Sequence, residues 1–307
     1  MGKFIIRRLL QMIPVILGST FLIFLMVFVL PGDPTAGRCG ERPCSPQYVA
    51  AFRREYNLDQ PFLVQYVLYL GKLIQGDLGT NYYGNSVLHE LAIRYPVTIR
   101  LALIALVFET VVGISAGVLA GIRKGKFIDS LVTVSTLIVI SIPVFVIGSL
   151  SQMIFGVRLG WFPVTATEGT WEQLILPGLV LGSLSVAYVA RLTRTNLVEN
   201  LRADYVRTAK AKGLSTGRAV GIHALRNSLI PVVTYIGASF GALMGGAIVT
   251  ERIFNINGIG YFIFRSINQR DGVSVVGAVV VLVVVYLFVN LLIDVLYGVL
   301  DPRISHD

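Results

Sequence analysis

Residues 101–121 read LALIALVFETVVGISAGVLAG. One carboxyl, Glu109, interrupts an otherwise apolar run, and Gly113, Gly117 and Gly121 recur every four residues. A helix that crosses a bilayer needs about 20 mostly apolar residues, and this stretch meets that length. It lacks the period-two alternation of a membrane barrel strand. Comparable runs place six candidate spans at about 9–30, 97–121, 130–156, 174–190, 229–250 and 273–298. The fourth is the weakest, being short and carrying Pro177, Gly182, Ser183 and Ser185.

Composition agrees with a membrane protein. Of 307 residues, 54% are hydrophobic and 14% charged, against roughly 25% charged in a soluble domain. Mean hydropathy is +0.73. Such apolar content excludes intrinsic disorder. The net charge of +9 would suit a nucleic-acid binder, but that class concentrates its bases on one soluble face. Here the bases fall largely in short segments between apolar runs.

Their distribution sets the direction of the chain. Lys3, Arg7 and Arg8 precede the first span, and Arg123, Lys124 and Lys126 follow the second. Arg191, Arg194, Arg202, Arg207, Lys210, Lys212, Arg218 and Arg226 follow the fourth, and Arg303 lies in the tail. Together these are more than half of the 26 Lys and Arg. Short basic loops stay in the cytoplasm, so both termini are expected there and residues 31–96 outside. The N-terminal run is too long for a secretory signal core, and no small-x-small cleavage site follows closely. Thr35-Ala-Gly-Arg-Cys39 misses a lipoprotein cleavage site because Arg38 stands where a small residue is needed.

The chain has two cysteines, Cys39 and Cys44, both in that outer segment. In an oxidising compartment the pair reads as a local disulfide. Metal binding is the rival, but two ligands make half a zinc site. No Gly-x-x-x-x-Gly-Lys-[Ser/Thr] occurs, so no P-loop phosphate cradle is available. The three His, His89, His223 and His306, fall outside the spans. A membrane hydrolase or metalloprotease therefore lacks an intramembrane base. A pore or transport component fits better, with no cofactor.

The segment 191–228 carries eight bases and two acids, Glu199 and Asp204. Leu197, Leu201, Tyr205 and Ala209 are spaced by four and predict one helical face. Gly213 ends that helix, and Ser215 or Thr216 caps the next, giving two short helices with a tight turn. The plainer reading is a basic loop against lipid headgroups; the sharper one is a dock for a cytoplasmic partner.

Tyr205-Val-Arg-Thr-Ala-Lys-Ala-Lys-Gly213-Leu, with His223-Ala-Leu-Arg-Asn227 and Ile230-Pro231, closely resembles the loop of dipeptide and oligopeptide ABC importer permeases. Further matches run along the chain: Pro31-Gly-Asp-Pro34, Asn57-Leu-Asp-Gln-Pro-Phe62, Gly76-Asp-Leu-Gly79 and Asp301-Pro-Arg-Ile304. The likeness is to the first of the two permeases in such systems. It implies an all-α membrane protein with six transmembrane helices of the type I ABC importer permease (MetI-like) fold. Residues 1–96 would form the first helix and a helical extracytoplasmic segment, and 97–307 the permease core. The family's Glu-Ala-Ala-x3-Gly coupling motif falls on Arg207, Thr208, Ala209 and Gly213, so the Glu and the first Ala are replaced. By resemblance, Tyr205, Arg207, Thr208, Ala209, Lys210, Ala211, Lys212, Gly213, Leu214 and Ser215 would contact an ATPase. The other implied partners are a homologous second permease, a second ATPase subunit and an extracytoplasmic substrate-binding protein.

Candidate pathway residues are Glu109, Ser141, Ser185, Tyr188, Ser239 and Asn290. An ionisable group at mid-span usually faces a cavity or a partner, so Glu109 is expected to line the path, to pair with a base from another helix, or to be protonated. Asp294 falls near the cytoplasmic end of its span, where a base from the 191–228 loop could pair with it. Pro143 is expected to kink the third span, with Ser141 satisfying freed backbone groups. The glycine repeats in span two and at Gly237, Gly241 and Gly245 read as close helix packing or as a sliding contact. In the outer segment, helices are expected near 46–56 and 61–75, their aromatic rings suited to the membrane interface or to a protein contact. The expected function is a peptide permease powered by separate ATPases. Nickel, glutathione or another small solute is the alternative within the branch; a stand-alone carrier or channel is the rival outside it.

Overall fold

The computed structural model describes residues 2–28, 35, 39 and 44–300. The motifs at 31–34 and 301–304 lie outside them, as do Arg38 and Arg303. Among the described residues the elements are helices, with one antiparallel bridge between Thr80 and Ser86. They are α1 (Gly2–Phe28), α2 (Pro46–Glu55), α3 (Phe62–Ile74), α4 (Val87–Ile122), α5 (Phe127–Ser141), α6 (Val144–Ser151), α7 (Trp171–Asn200), α8 (Asp204–Ala211), α9 (Thr216–Arg218), α10 (Leu225–Ile253), α11 (Ile259–Asn268) and α12 (Gly272–Leu300). Wider π turns extend α6 over Gln152–Arg158 and join α9 to α10 over Ala219–Ala224. Among the described residues five helices are long and apolar enough to cross a membrane, six if the bent pair of α5 and α6 is one span.

The chain forms two compact units. The first comprises Met1–Thr98 and Asn255–Asp307. Its core gathers Phe52 of α2, Leu78, Val87 and Leu91 at the head of α4, Ile259, Phe262 and Ile263 of α11, and Val273 and Ala278 of α12. Ser45 caps α2 by accepting from the Tyr48 amide at 3.2 Å. Helices α2 and α3 cover the stretches near 46–56 and 61–75 where the sequence places them. Their rings turn largely inward: Phe62 and Tyr66 of α3 pack edge-on against Phe21 of α1, and the Tyr66 hydroxyl donates to the Leu17 carbonyl at 2.8 Å. Asp271 accepts from the Tyr82 amide at 2.7 Å and from Ser274, tying the 80–86 turn to the start of α12.

The second unit is Ile99–Phe254. Its central helix is α7, the span expected to be weakest. Over half of its most apolar stretch, 56%, is buried in protein, against 11% for α1. Its small residues are therefore contact residues rather than a flaw in a lipid-facing helix. A methyl on Gly178 would lie 2.4 Å from Ile104, and one on Gly182 would lie 2.9 Å from the Ala105 carbonyl. The glycines of α4 answer from the other side. A Cβ on Gly113 would meet Val189 at 2.7 Å, and one on Gly117 would meet Thr193 and the Ala190 carbonyl at 2.5 Å. Gly245, from the second repeat, has nothing within 4 Å.

Two expectations about helix continuity change. The third span does not kink at Pro143 but breaks: Ile142 is extended, and α5 and α6 meet at 100°. Proline lacks the amide for the ladder and pushes the residue before it out of the helical region. Ser141 donates back to Leu137 at 2.8 Å within α5 instead of relieving the break. The second span starts ten residues early, at Val87, and runs through Pro96. Its first turns are held by Arg94, which pairs with Glu90 and lies 4.9 Å over the Phe262 ring.

Candidate functional site

The segment 191–228 is not two short helices. Helix α7 continues to Asn200, residues 201–203 turn, and α8 follows. Leu197 and Leu201 thus belong to the end of α7 and its turn, not to one face shared with Tyr205 and Ala209. What comes after Gly213 is the start of the helical run that becomes α10. Gly213 has φ +89°, and a Cβ there would meet nothing within 4 Å. The glycine is required by backbone conformation, not by lack of space.

Helix α8 is seated on one side and open on the other. Val206 is fully buried with Leu197, Ala219 and Ala224, against Val118, Leu201 and Leu214. Ala209 is also buried, at 8% exposure. Tyr205, Arg207, Thr208, Lys210, Ala211, Lys212, Gly213 and Ser215 are exposed, while Leu214 is half-buried. Tyr205 hydrogen-bonds Asn200 across the turn, and Arg207 lies 3.7 Å from Asp204. The result is a cationic helix held by apolar anchors, with a small side chain, Ala211, between bases on the open side.

A second polar group sits among α4, α7 and α10. Glu109 has no exposed surface. Its Oε1 accepts from Ser239, and the Ser185 hydroxyl lies beside the carboxyl. Its Oε2 has no partner among the described residues. Ser239 also donates to the Ile236 carbonyl at 2.8 Å. The Tyr188 and Tyr235 rings lie 6.3 Å apart nearby in the same unit. Three of the candidate pathway residues, Glu109, Ser185 and Ser239, are thus in contact, inside helix packing rather than on an open path. Ser141 is not with them, being exposed at the end of α5. Asn290 lies on α12, where with Arg8 and Asp294 it lines a cavity of about 160 Å³. Asp294 pairs with Arg8 of α1 at 3.3 Å, not with the 191–228 loop.

One arrangement was not singled out from the sequence. Asp129, in the first turn of α5, receives Arg194 of α7 through two bonds, Nε to Oδ1 at 2.5 Å and Nη2 to Oδ2 at 2.8 Å. The Gly125 amide donates to the same Oδ2 at 2.9 Å. The available signal was an acid just inside an apolar run that follows Arg123, Lys124 and Lys126. Cys39 and Cys44 are bonded, with Cα atoms 5.2 Å apart. Among the described residues no group of three or more His, Cys, Asp or Glu is placed to hold a metal.

The second unit thus combines apolar helices long enough to cross a membrane, α7 among them, with a basic, half-seated helix that lies between α7 and α10 in the chain. The family model for the binding-protein-dependent transport system inner membrane component matches residues 113–306, and that for the N-terminal part of such membrane components matches residues 1–102. The dipeptide transport system permease protein of Alkalihalophilus pseudofirmus is 37% identical over the whole of both chains. The di/tripeptide transport system permease protein of Pseudomonas aeruginosa is 39% identical, covering all of this chain and 99% of its own. The glutathione transport system permease protein of Salmonella typhimurium is 37% identical over the whole of both. The chain belongs to the binding-protein-dependent transport system inner membrane components. It is a multi-pass membrane permease subunit of an ABC importer, a transport component and not the ATPase.

Proposed function

We propose that this permease moves di- or oligopeptides into the cell. It would pair with a homologous second permease, two ATPase subunits and an extracytoplasmic binding protein that delivers the peptide. Both termini and the 191–228 loop face the cytoplasm, and residues 31–96 face outward. Residues 1–96 form the first helix and outer segment, and 97–307 the permease core. The exposed side of α8 docks the ATPase, and the buried Glu109 cluster lies where the pathway opens when the helices part.

The observation that carries the substrate class is full-length identity of 37–39% to dipeptide and di/tripeptide permeases. The glutathione permeases give a second reading, because glutathione is itself a small peptide and the identity, 37%, is within two points of those of the peptide permeases. Uptake by the assembled importer in proteoliposomes separates them. A labelled dipeptide should accumulate only with ATP inside and binding protein outside, and excess glutathione should compete poorly. Accumulation of glutathione without dipeptide uptake would reverse the assignment.

A further inference from the structure

Cytoplasm-side contacts in the second unit form one continuous path. Val206 of α8 packs on Leu197 of α7. Three residues earlier on α7, Arg194 grips Asp129 of α5 through a two-pronged contact. Helix α5 ends at the Ile142–Pro143 break, beyond which α6 departs at 100°. The Asp129 carboxylate, at the start of α5, collects donors from two other segments: α7 through Arg194 and the 123–126 turn through Gly125, which has φ +75°. Its side chain is 7% exposed and that of Arg194 29%. A planar guanidinium meeting a carboxylate with both oxygens fixes angle as well as distance. The neighbouring approach of α7 to Gly117 and Gly121 is by close packing alone, with no such directional bond.

We infer that Asp129 and Arg194 are positioning residues that make α5 follow α7, so that a displacement of α8 reaches the break between α5 and α6. The inference rests on α8 being the ATPase dock. The bonds of the pair run to each other and to the Gly125 amide, not to α8. Its loss leaves docking and ATP hydrolysis in place and disconnects them from transport.

The test uses the complete importer in proteoliposomes, reading ATPase co-purification, ATP hydrolysis, and solute moved per ATP. Asp129→Asn removes the charge and one acceptor; Arg194→Lys keeps the charge but loses the fork. Expected for both are wild-type co-purification, hydrolysis retained, and solute per ATP down roughly tenfold, the size of effect a coupling residue distant from both sites can have. The double variant should be no worse than either single one, since each removes the same link. Asp129→Glu should recover part of the loss. Unchanged solute per ATP in folded variants, or additive losses in the double variant, would overturn the inference. If Asp129→Asn fails to assemble, Arg194→Lys decides by the same ratio. A failed dock shows up separately, as ATPase retention in variants of the exposed side of α8, and leaves the ratio measured here interpretable.

Discussion

At Gly117 a single hydrogen atom separates a fit from a clash. A Cβ there would sit 2.5 Å from both a backbone carbonyl and the branch point of Thr193. Neither is the free end of a flexible side chain, so α4 and α7 would have to move apart. Gly117→Leu should cost about 1–3 kcal/mol of packing and lower the yield of folded subunit in detergent, whereas Gly245→Leu should not. Equal melting temperatures for the two variants would count against the contact. The repeat itself was legible in the sequence; that Gly113, Gly117 and Gly121 close on α7 while Gly245 has open space was not. The letters at 113–121 and 237–245 look alike, and the difference lies in what the fold brings opposite them. Glu109 was legible as unusual for the same reason any charge in an apolar run is. Its partners Ser185 and Ser239 come from helices far along the chain, and no local pattern links them.

At the scale of elements, α8 shows where periodicity helps and where it misleads. The spacing of four through Leu197, Leu201, Tyr205 and Ala209 is real, but a turn at 201–203 divides it between two helices. Ala209 consequently faces inward with Val206, and a change there tests the seat of the helix, not its open side. Ala209→Asp should place an unpaired charge among apolar groups and reduce the folded yield. Thr208→Trp with Ala211→Trp should instead leave the fold alone and release the ATPase. Gly213→Ala should cost about 1–2 kcal/mol through its left-handed φ. Co-purification of the ATPase with the double tryptophan variant, at wild-type level, would remove α8 as the dock. The break at Pro143 and the early start of α4 were each misread because proline alone does not say whether a helix yields. At Pro96 the surrounding turns are held by the Arg94–Glu90 pair and the Phe262 ring. At Pro143 the preceding Ile142 is extended and the helix ends.

For the whole molecule, hydropathy was enough for the class and for the number of apolar spans, because the bilayer requires long apolar helices of every chain that crosses it this way. The grouping into units was not legible, since Asn255–Asp307 joins Met1–Thr98 only through tertiary contacts. The proposed topology is open to labelling. In intact cells a membrane-impermeant maleimide should react with a cysteine at position 85 and spare one at 215; reaction at 215 would reject the orientation. The native thiols add little background, because Cys39 and Cys44 are bonded to each other. That bond has a meaning for biogenesis as well. On this topology, a nascent chain carries both sulfurs as thiols until the segment after α1 has crossed, and meets an oxidant only afterwards. The ring five positions wide is then a delivery stamp: a subunit with free thiols is one whose first hairpin has stalled or inserted backwards, and thiol-trapping during synthesis would date the crossing.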